Sequence, residues 1–292
     1  MSETAPPFKR VTAGNLLVAV GLIVVMQLGA LAITFQNKPA YDVIVSESGY
    51  SADFFGATPA GAFGNAFLLV VFAFAATLAL LWVLRKRMVL SFKLLIFAST
   101  ALAAFILTYV TAGQFADNNS LGSVDYQIAV GAGLVAVCLV GYNLFFARRP
   151  WVSTAVLGFI GAEVGSFFAQ TLPVSTALVL PVAFSLYDIY AVFRGPLKQL
   201  IGTSSGVALA GMSVKLGEFT LGLGDVVFYT MLPSLAFTAV AGPSLAASFS
   251  TIVAIDVGVV ATLFLLTRKK LLPGLPIPML LGITTLLAFL LL

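Results

Sequence analysis

The sequence is a succession of apolar runs, each about as long as a helix needs to cross a bilayer core, and no other feature restricts its folding so tightly. Runs of roughly 17–25 residues lie near 14–35, 65–84, 94–113, 126–146, 152–170, 173–193, 221–241, 244–266 and 272–292. Backbone N–H and C=O groups in lipid must be satisfied internally, so these runs are read as transmembrane α-helices. The composition agrees: 60% of the 292 residues are hydrophobic and 9% are charged. A soluble domain carries about 25% charged residues. The mean hydropathy is +1.09. The chain is therefore expected to be an all-α, multi-pass integral membrane protein of nine helices. It reads as a single domain over 1–292, with no second soluble domain, solenoid repeat or low-complexity tail.

The basic residues orient it. With the N-terminus in the cytoplasm, Lys9, Arg10, Arg85, Lys86, Arg87, Lys93, Arg148, Arg149, Arg194, Lys198, Lys215, Arg268, Lys269 and Lys270 all fall on the cytoplasmic side, and only Lys38 falls outside. The loop acids Asp42, Glu47, Asp53, Asp117 and Asp125 fall on the opposite face. The expected plan is a cytoplasmic tail over 1–13, an outer loop over 36–64, a cytoplasmic loop over 194–220 between helices 6 and 7, and an external C-terminus. Lys9, Arg10, the run from Leu16 to Leu28 and Ala30-Leu31-Ala32 imitate a cleavable secretory signal, but the apolar stretch is long for one.

Several chemistries drop out. A single cysteine, Cys138, cannot form an intrachain disulfide, and the absence of histidine removes the usual zinc and serine–histidine arrangements. Acid–base work falls to carboxylates, lysines or tyrosines. No cofactor, metal or nucleic-acid partner is expected; the surroundings are a lipid bilayer.

Four acids lie within the spans: Glu163, Asp188, Asp225 and Asp256. Each costs about 2.5–3.5 kcal/mol on insertion scales, so something must use it or pair with it. Asp188 precedes Arg194 by six residues, about 9 Å along a helix, and Asp225 follows the start of the seventh run by four, about 6 Å from the same face. Glu163 and Asp256 fall deeper, about 18–21 Å in. Two aspartates at one depth on consecutive helices suit a shared-proton dyad, in which one ionised carboxylate activates water while its protonated partner polarises a peptide carbonyl. Low dielectric and like charge both disfavour double ionisation. The same residues would also serve as structural acids or line a transport path.

The surroundings add weight to the dyad. In LGLGD, Gly222 and Gly224 remove side chains on either side of Leu223, which admits another backbone close to Asp225. After the basic cluster at 268–270, LLPGLPIPM places Pro273, Pro276 and Pro278 where a regular helix cannot enter the membrane. Unwound backbone at that depth is tolerated where it is buried in protein or lines a wet cavity.

These residues resemble a known family. LYDIYAVFRGPLKQL is similar to the presenilin segment built around YD and GPLR, VKLG and LGLGDVVFYTML are similar to its KLGLGDFIFYS region, and PGL in LPGLPIP resembles its PAL motif. The likeness spans the nine-helix plan and its charge orientation. Presenilins and signal peptide peptidases are intramembrane aspartyl proteases of the GxGD type. The resemblance implies Asp188 and Asp225 as catalytic acids acting on transmembrane helical substrates. Pro273, Gly274 and Leu275 would shape the site, with Tyr187, Leu216, Gly222, Leu223 and Gly224 as substrate contacts. The expected orientation favours presenilin over signal peptide peptidase, whose topology is inverted. Gly274 stands where the family has alanine, and the 194–220 loop is short for a self-cleaved segment. No accessory-subunit signature is present, and the compact chain is similar to microbial presenilin homologues that act without partners, which implies a microbial plasma membrane.

Other residues carry alternative readings. Tyr187 either donates a hydrogen bond within the site or fills a helix interface; packing or substrate contact is favoured, because adjacent helical residues do not face each other. Glu163 between Gly161 and Gly165 reads as a buried carboxyl in a small-xxx-small packing seam. Asp256 reads as an interhelical donor or part of an ion path. Asn118-Asn119-Ser120 fits a glycosylation sequon. Ser213–Phe219 alternates as a strand does, and reads as a strand with an open edge or as an ordered loop. Two other functions compete with proteolysis of membrane helices: a prepilin-type peptidase, disfavoured because Val226 and Val227 rather than lysine follow the GxGD, and a proton-coupled transporter using the four acids as a relay.

Overall fold

The computed structural model describes residues 13–48, 54–56, 58–86, 88–120, 125–147, 149–194, 213–216, 219–240, 243–266 and 272–292. Among these the chain forms nine α-helices and one β-hairpin. In order they are α1 (Ala13–Ser48), α2 (Pro59–Arg85), α3 (Val89–Asn118), α4 (Asp125–Phe145), α5 (Pro150–Thr171), α6 (Val174–Phe193), β1 (Ser213–Leu216), β2 (Phe219–Gly222), α7 (Leu223–Ala239), α8 (Leu245–Leu266) and α9 (Pro276–Leu291). Residues 1–12 of the expected cytoplasmic tail, most of the 194–220 loop and the basic cluster at 268–270 lie outside the described residues. The apolar runs thus become helices, and the protein is a multi-pass integral membrane protein.

Seven helices, α1 to α6 and α8, are long and apolar enough to cross a membrane. The other two are shorter than the sequence suggests. α7 has 17 residues and α9 has 16, or about 25 and 24 Å against a hydrocarbon core of about 30 Å. Their starts explain the difference. Residues 221–222, the head of the expected seventh span, are taken by the end of β2, and the ninth helix waits for Pro276, whose ring suits a first helical turn. Two apolar helices therefore start within the expected spans, where their unpaired N–H groups need partners.

The opposite deviation occurs in α1. Its apolar stretch closes near residue 35, yet the helix runs on to Ser48 and takes up part of the expected outer loop. At 36 residues it is about 54 Å long, more than a bilayer requires. The extension carries an i,i+4 pair, Lys38 Nζ to Asp42 Oδ2 at 2.8 Å, which supports an exposed helix by about 0.3–0.5 kcal/mol. Its apolar part is a core element, with Ala19, Ile23 and Ala30 buried.

At the centre stands α7, buried on every side from Val226 to Phe237. It touches α1, α5, α6, α8 and α9. The contact with α5 is backbone-close at Gly165, where an added Cβ would collide with the Thr230 hydroxyl and stand 2.7 Å from the Val227 carbonyl oxygen. Thr230 also donates to the Gly161 carbonyl at 3.1 Å. The small-xxx-small seam of α5 therefore faces α7. α8 pairs with α9, α2 with α6, and α3 with α4, the last around a small core of Ala101, Ala104, Ala136, Val140 and Ile160.

Ahead of α7, β1 and β2 pair antiparallel in the register Ser213↔Gly222, Val214↔Leu221, Lys215↔Thr220 and Leu216↔Phe219. The strand reading of Ser213–Phe219 holds for its first four residues and for Phe219, which begins the second strand; residues 217–218 lie outside the described set. Val214 is 0% exposed, and β1 packs on α5 and α1. The hairpin delivers the chain into α7 through Gly222.

Candidate active site

Asp225 is the third residue of α7, counted from Leu223, with Gly222 as N-cap. A glycine has no side chain to complete a reciprocal capping box, so the arrangement is half of one: the Gly222 N–H donates to Asp225 Oδ2 at 3.1 Å. The carboxylate is thus folded back over the helix start, where the macrodipole favours negative charge.

Asp188 reaches the start of the other short helix. The N–H of Leu275, the N-cap residue of α9, donates to Asp188 Oδ2 at 3.2 Å. The preceding N–H, that of Gly274, also interacts with the same carboxylate. Two successive backbone N–H groups turned to one side form a concave anion-binding surface. Each carboxylate therefore occupies the N-terminal end of one of the two short helices.

The two ends meet at one turn. Gly274 lies so close to Asp225 that a Cβ built on it would stand 3.0 Å from Oδ2 and 3.3 Å from Cγ. Adjacent residues, Gly274 and Leu275, thus contact both acids, and α6, α7 and α9 converge there. Pro273 and Leu275 are buried and fix the turn from behind. On the other side of Asp225, a Cβ on Gly224 would meet nothing within 4 Å, and both Gly222 and Gly224 are exposed. Open space beside one carboxylate and packed backbone behind both is an arrangement that can hold water and an extended peptide.

The remaining sequence candidates separate. Tyr187 turns to α2: its hydroxyl donates to Thr77 Oγ1 at 3.1 Å, and its ring meets Phe74 and Phe184 edge-on. Leu223 points towards α5, 3.5 Å from the position of a Cβ on Gly161. Leu216 is placed by its backbone pairing with Phe219. Glu163 is 2% exposed and accepts the Thr108 hydroxyl at 2.9 Å, on the side of α5 that faces α3 rather than in the glycine seam. Asp256 shares a side-chain hydrogen bond with Gln27 of α1. Among the described residues, no group of three or more acids, histidines or cysteines is placed to hold a metal ion.

One residue of the site was not singled out from the sequence. Tyr229 is 2% exposed, and its hydroxyl donates to the Gly274 carbonyl oxygen at 2.8 Å. The available signal was its position four residues after Asp225, on the same face of an apolar helix, because a buried tyrosine hydroxyl needs a partner.

Comparison with known proteins bears on this geometry. The presenilin family model matches residues 10–207. The chain belongs to the presenilin family. That match takes in Asp188 and stops short of Asp225 and the Pro273–Leu275 turn. Presenilin-B of Dictyostelium discoideum is 34% identical over 151 residues, which is 48% of this chain and 31% of that protein; the matched stretch is about a third of that relative's length. The fold is also that of a presenilin family intramembrane aspartate protease solved in two space groups. The C222 form has a TM-score of 0.60 and 19% identity over 91% of this chain and 98% of that one. The P2 form has a TM-score of 0.60 and 19% identity over 92% and 95%.

Proposed function

We propose that this presenilin-family protein is an intramembrane aspartyl endopeptidase that hydrolyses peptide bonds of single-span transmembrane substrates, with Asp188 and Asp225 as its catalytic acids. The observation that carries the reading is that one turn, Gly274–Leu275, contacts both carboxylates. The pair would share one proton. The ionised carboxylate takes a proton from water, whose oxygen attacks the peptide carbon, while the protonated partner gives its proton to the carbonyl oxygen. As the tetrahedral gem-diol collapses, the proton taken from water passes to the departing amine nitrogen and the other carboxylate takes a proton back from a diol hydroxyl, which regenerates the one-proton pair.

A substrate helix must unwind before its carbonyl can be attacked, and each freed backbone group left unsatisfied in a lipid-like medium costs several kcal/mol. Strand addition to the β1–β2 hairpin would supply partners collectively, and the hairpin leads straight to Gly222, Gly224 and Asp225. Leu275 and Ile277 would hold the other side. In the orientation set by the basic residues, with the N-terminus cytoplasmic and the C-terminus outside, cleavage takes place near the cytoplasmic surface.

The test is cleavage of a single-span substrate by the purified chain alone in nanodiscs. The reading, including action without an accessory subunit, predicts fragments cut within the membrane segment. Intact substrate with a correctly folded enzyme would count against it.

A further inference from the structure

We propose that Tyr229 is a positioning residue of the aspartyl centre: its phenol fixes the orientation of the Gly274–Leu275 peptide unit, and through it the hydrogen bond to Asp188. This rests on the aspartyl-protease reading above and adds to it a residue outside the acid pair and the proline-rich turn.

The carbonyl of Gly274 and the N–H of Leu275 belong to one planar peptide group. The carbonyl end accepts from the Tyr229 hydroxyl at 2.8 Å, and the N–H end donates to Asp188 Oδ2 at 3.2 Å. A rigid plane therefore connects the phenol to the carboxylate. If the carbonyl end is held, the N–H end is aimed; if it is released, both ends turn together.

Release is easy at this position. Glycine has no Cβ to restrict its dihedral angles, so the peptide that follows Gly274 resists rotation less than one following any other residue. A rotated plane would withdraw the N–H from Asp188 and present a carbonyl dipole instead. Asp225 stands against the same glycine, with Oδ2 3.0 Å from the site of an added Cβ, so the disturbance would reach both acids. The phenol is well placed to prevent it. Tyr229 lies one helical turn beyond Asp225 on the most deeply buried helix, and its backbone carbonyl accepts Nε2 of Gln27 at 3.4 Å. The single hydroxyl proton is committed to Gly274, so Tyr229 acts through the turn and does not touch the substrate.

The experiment is Tyr229→Phe in the purified full chain in nanodiscs, which keeps the ring and removes only the hydroxyl. Cleavage kinetics, thermal unfolding and amide hydrogen exchange over residues 272–277 are read together. We expect kcat to fall about ten-fold, the effect of one lost hydrogen bond, with KM within about two-fold and the melting temperature nearly unchanged. Exchange of the turn should accelerate by a similar factor, a readout independent of activity. An unchanged kcat would overturn the proposal, as would a lowered kcat with unaltered exchange at 272–277. The parent reading has its own control in Asp188→Ala and Asp225→Ala. If those are inactive while Tyr229→Phe is fully active, only the positioning role fails; if they retain activity, the protease assignment fails.

Discussion

Asp225 and Gly274 are packed so closely that a methyl group on the glycine would stand 3.0 Å from the carboxylate Oδ2. The closeness comes from two chain reversals, the hairpin that launches α7 at Leu223 and the proline-flanked turn that launches α9 at Pro276. It makes position 274 a gauge of how tightly the site is built. Gly274→Ala, which installs the residue found in the family's related motif, asks the carboxylate to yield by a few tenths of an ångström. Cleavage should fall only several-fold, about 1 kcal/mol in the barrier. Gly274→Val adds bulk that the packed turn cannot absorb and should lower kcat/KM by at least about a hundred-fold. Equal activity for both variants in a reconstituted cleavage assay would mean that Asp225 does not sit against this turn during turnover.

The rate should be bell-shaped in pH. A dyad that works with one carboxyl ionised and one protonated loses its base as pH falls and its acid as pH rises, and the two limits belong to the pair rather than to either residue. Initial rates across the accessible range, with fold and substrate binding followed in parallel, check this. A flat profile between limits at which the protein remains folded would argue against the shared proton.

The hairpin yields a backbone prediction. Leu216 pairs with Phe219 across the two-residue connection, so Leu216→Pro removes an N–H from the ladder and should reduce turnover about ten-fold or more, whereas Leu216→Val keeps strand preference and should be tolerated. Cleavage rates of the two variants decide it. A substrate-bound structure in which residues 213–216 had left the strand conformation would sink strand addition while leaving the acid pair intact.

Much of this architecture was legible because lipid leaves a chain few options. Apolar runs become helices, and the seven long ones appear where hydropathy puts them. What hydropathy conceals is where a helix begins inside an apolar run. β2 ends in the same apolar run that α7 continues, so hydropathy does not separate Leu221 in a strand from Leu223 in a helix. At Ser48 the reverse holds: α1 outlasts its apolar stretch, and its polar extension is held by protein, with Asn37 donating to Thr111 Oγ1 at 2.9 Å, Tyr41 buried against Phe167 and Lys38 paired with Asp42.

Among the acids, depth arithmetic groups Asp188 with Asp225, since helix rise converts sequence spacing into height, and both lie against the Gly274–Leu275 turn. It could not say which way a side chain turns. Glu163 was read with the glycine seam, but two residues' offset from Gly161 rotates it to the far side of α5, onto Thr108. Asp256 meets Gln27 of α1. A relay would need the four acids to hand protons on in sequence, and the partners found for Glu163 and Asp256 belong to other helices. Tyr229 was hidden for a similar reason, because a tyrosine inside an apolar run reads as core until a carbonyl is found at its hydroxyl.

The most direct test of the central claim is single-turnover cleavage of a transmembrane substrate by purified Asp188→Ala, Asp225→Ala and the corresponding asparagine variants, with folding verified by thermal unfolding. The asparagine side chain can still accept the N–H of Leu275 or Gly222 but cannot carry the proton. The account predicts that all four variants fold and bind substrate, and that cleavage falls by at least about a thousand-fold in each. Substantial cleavage by any one of them, with the fold intact, would contradict it.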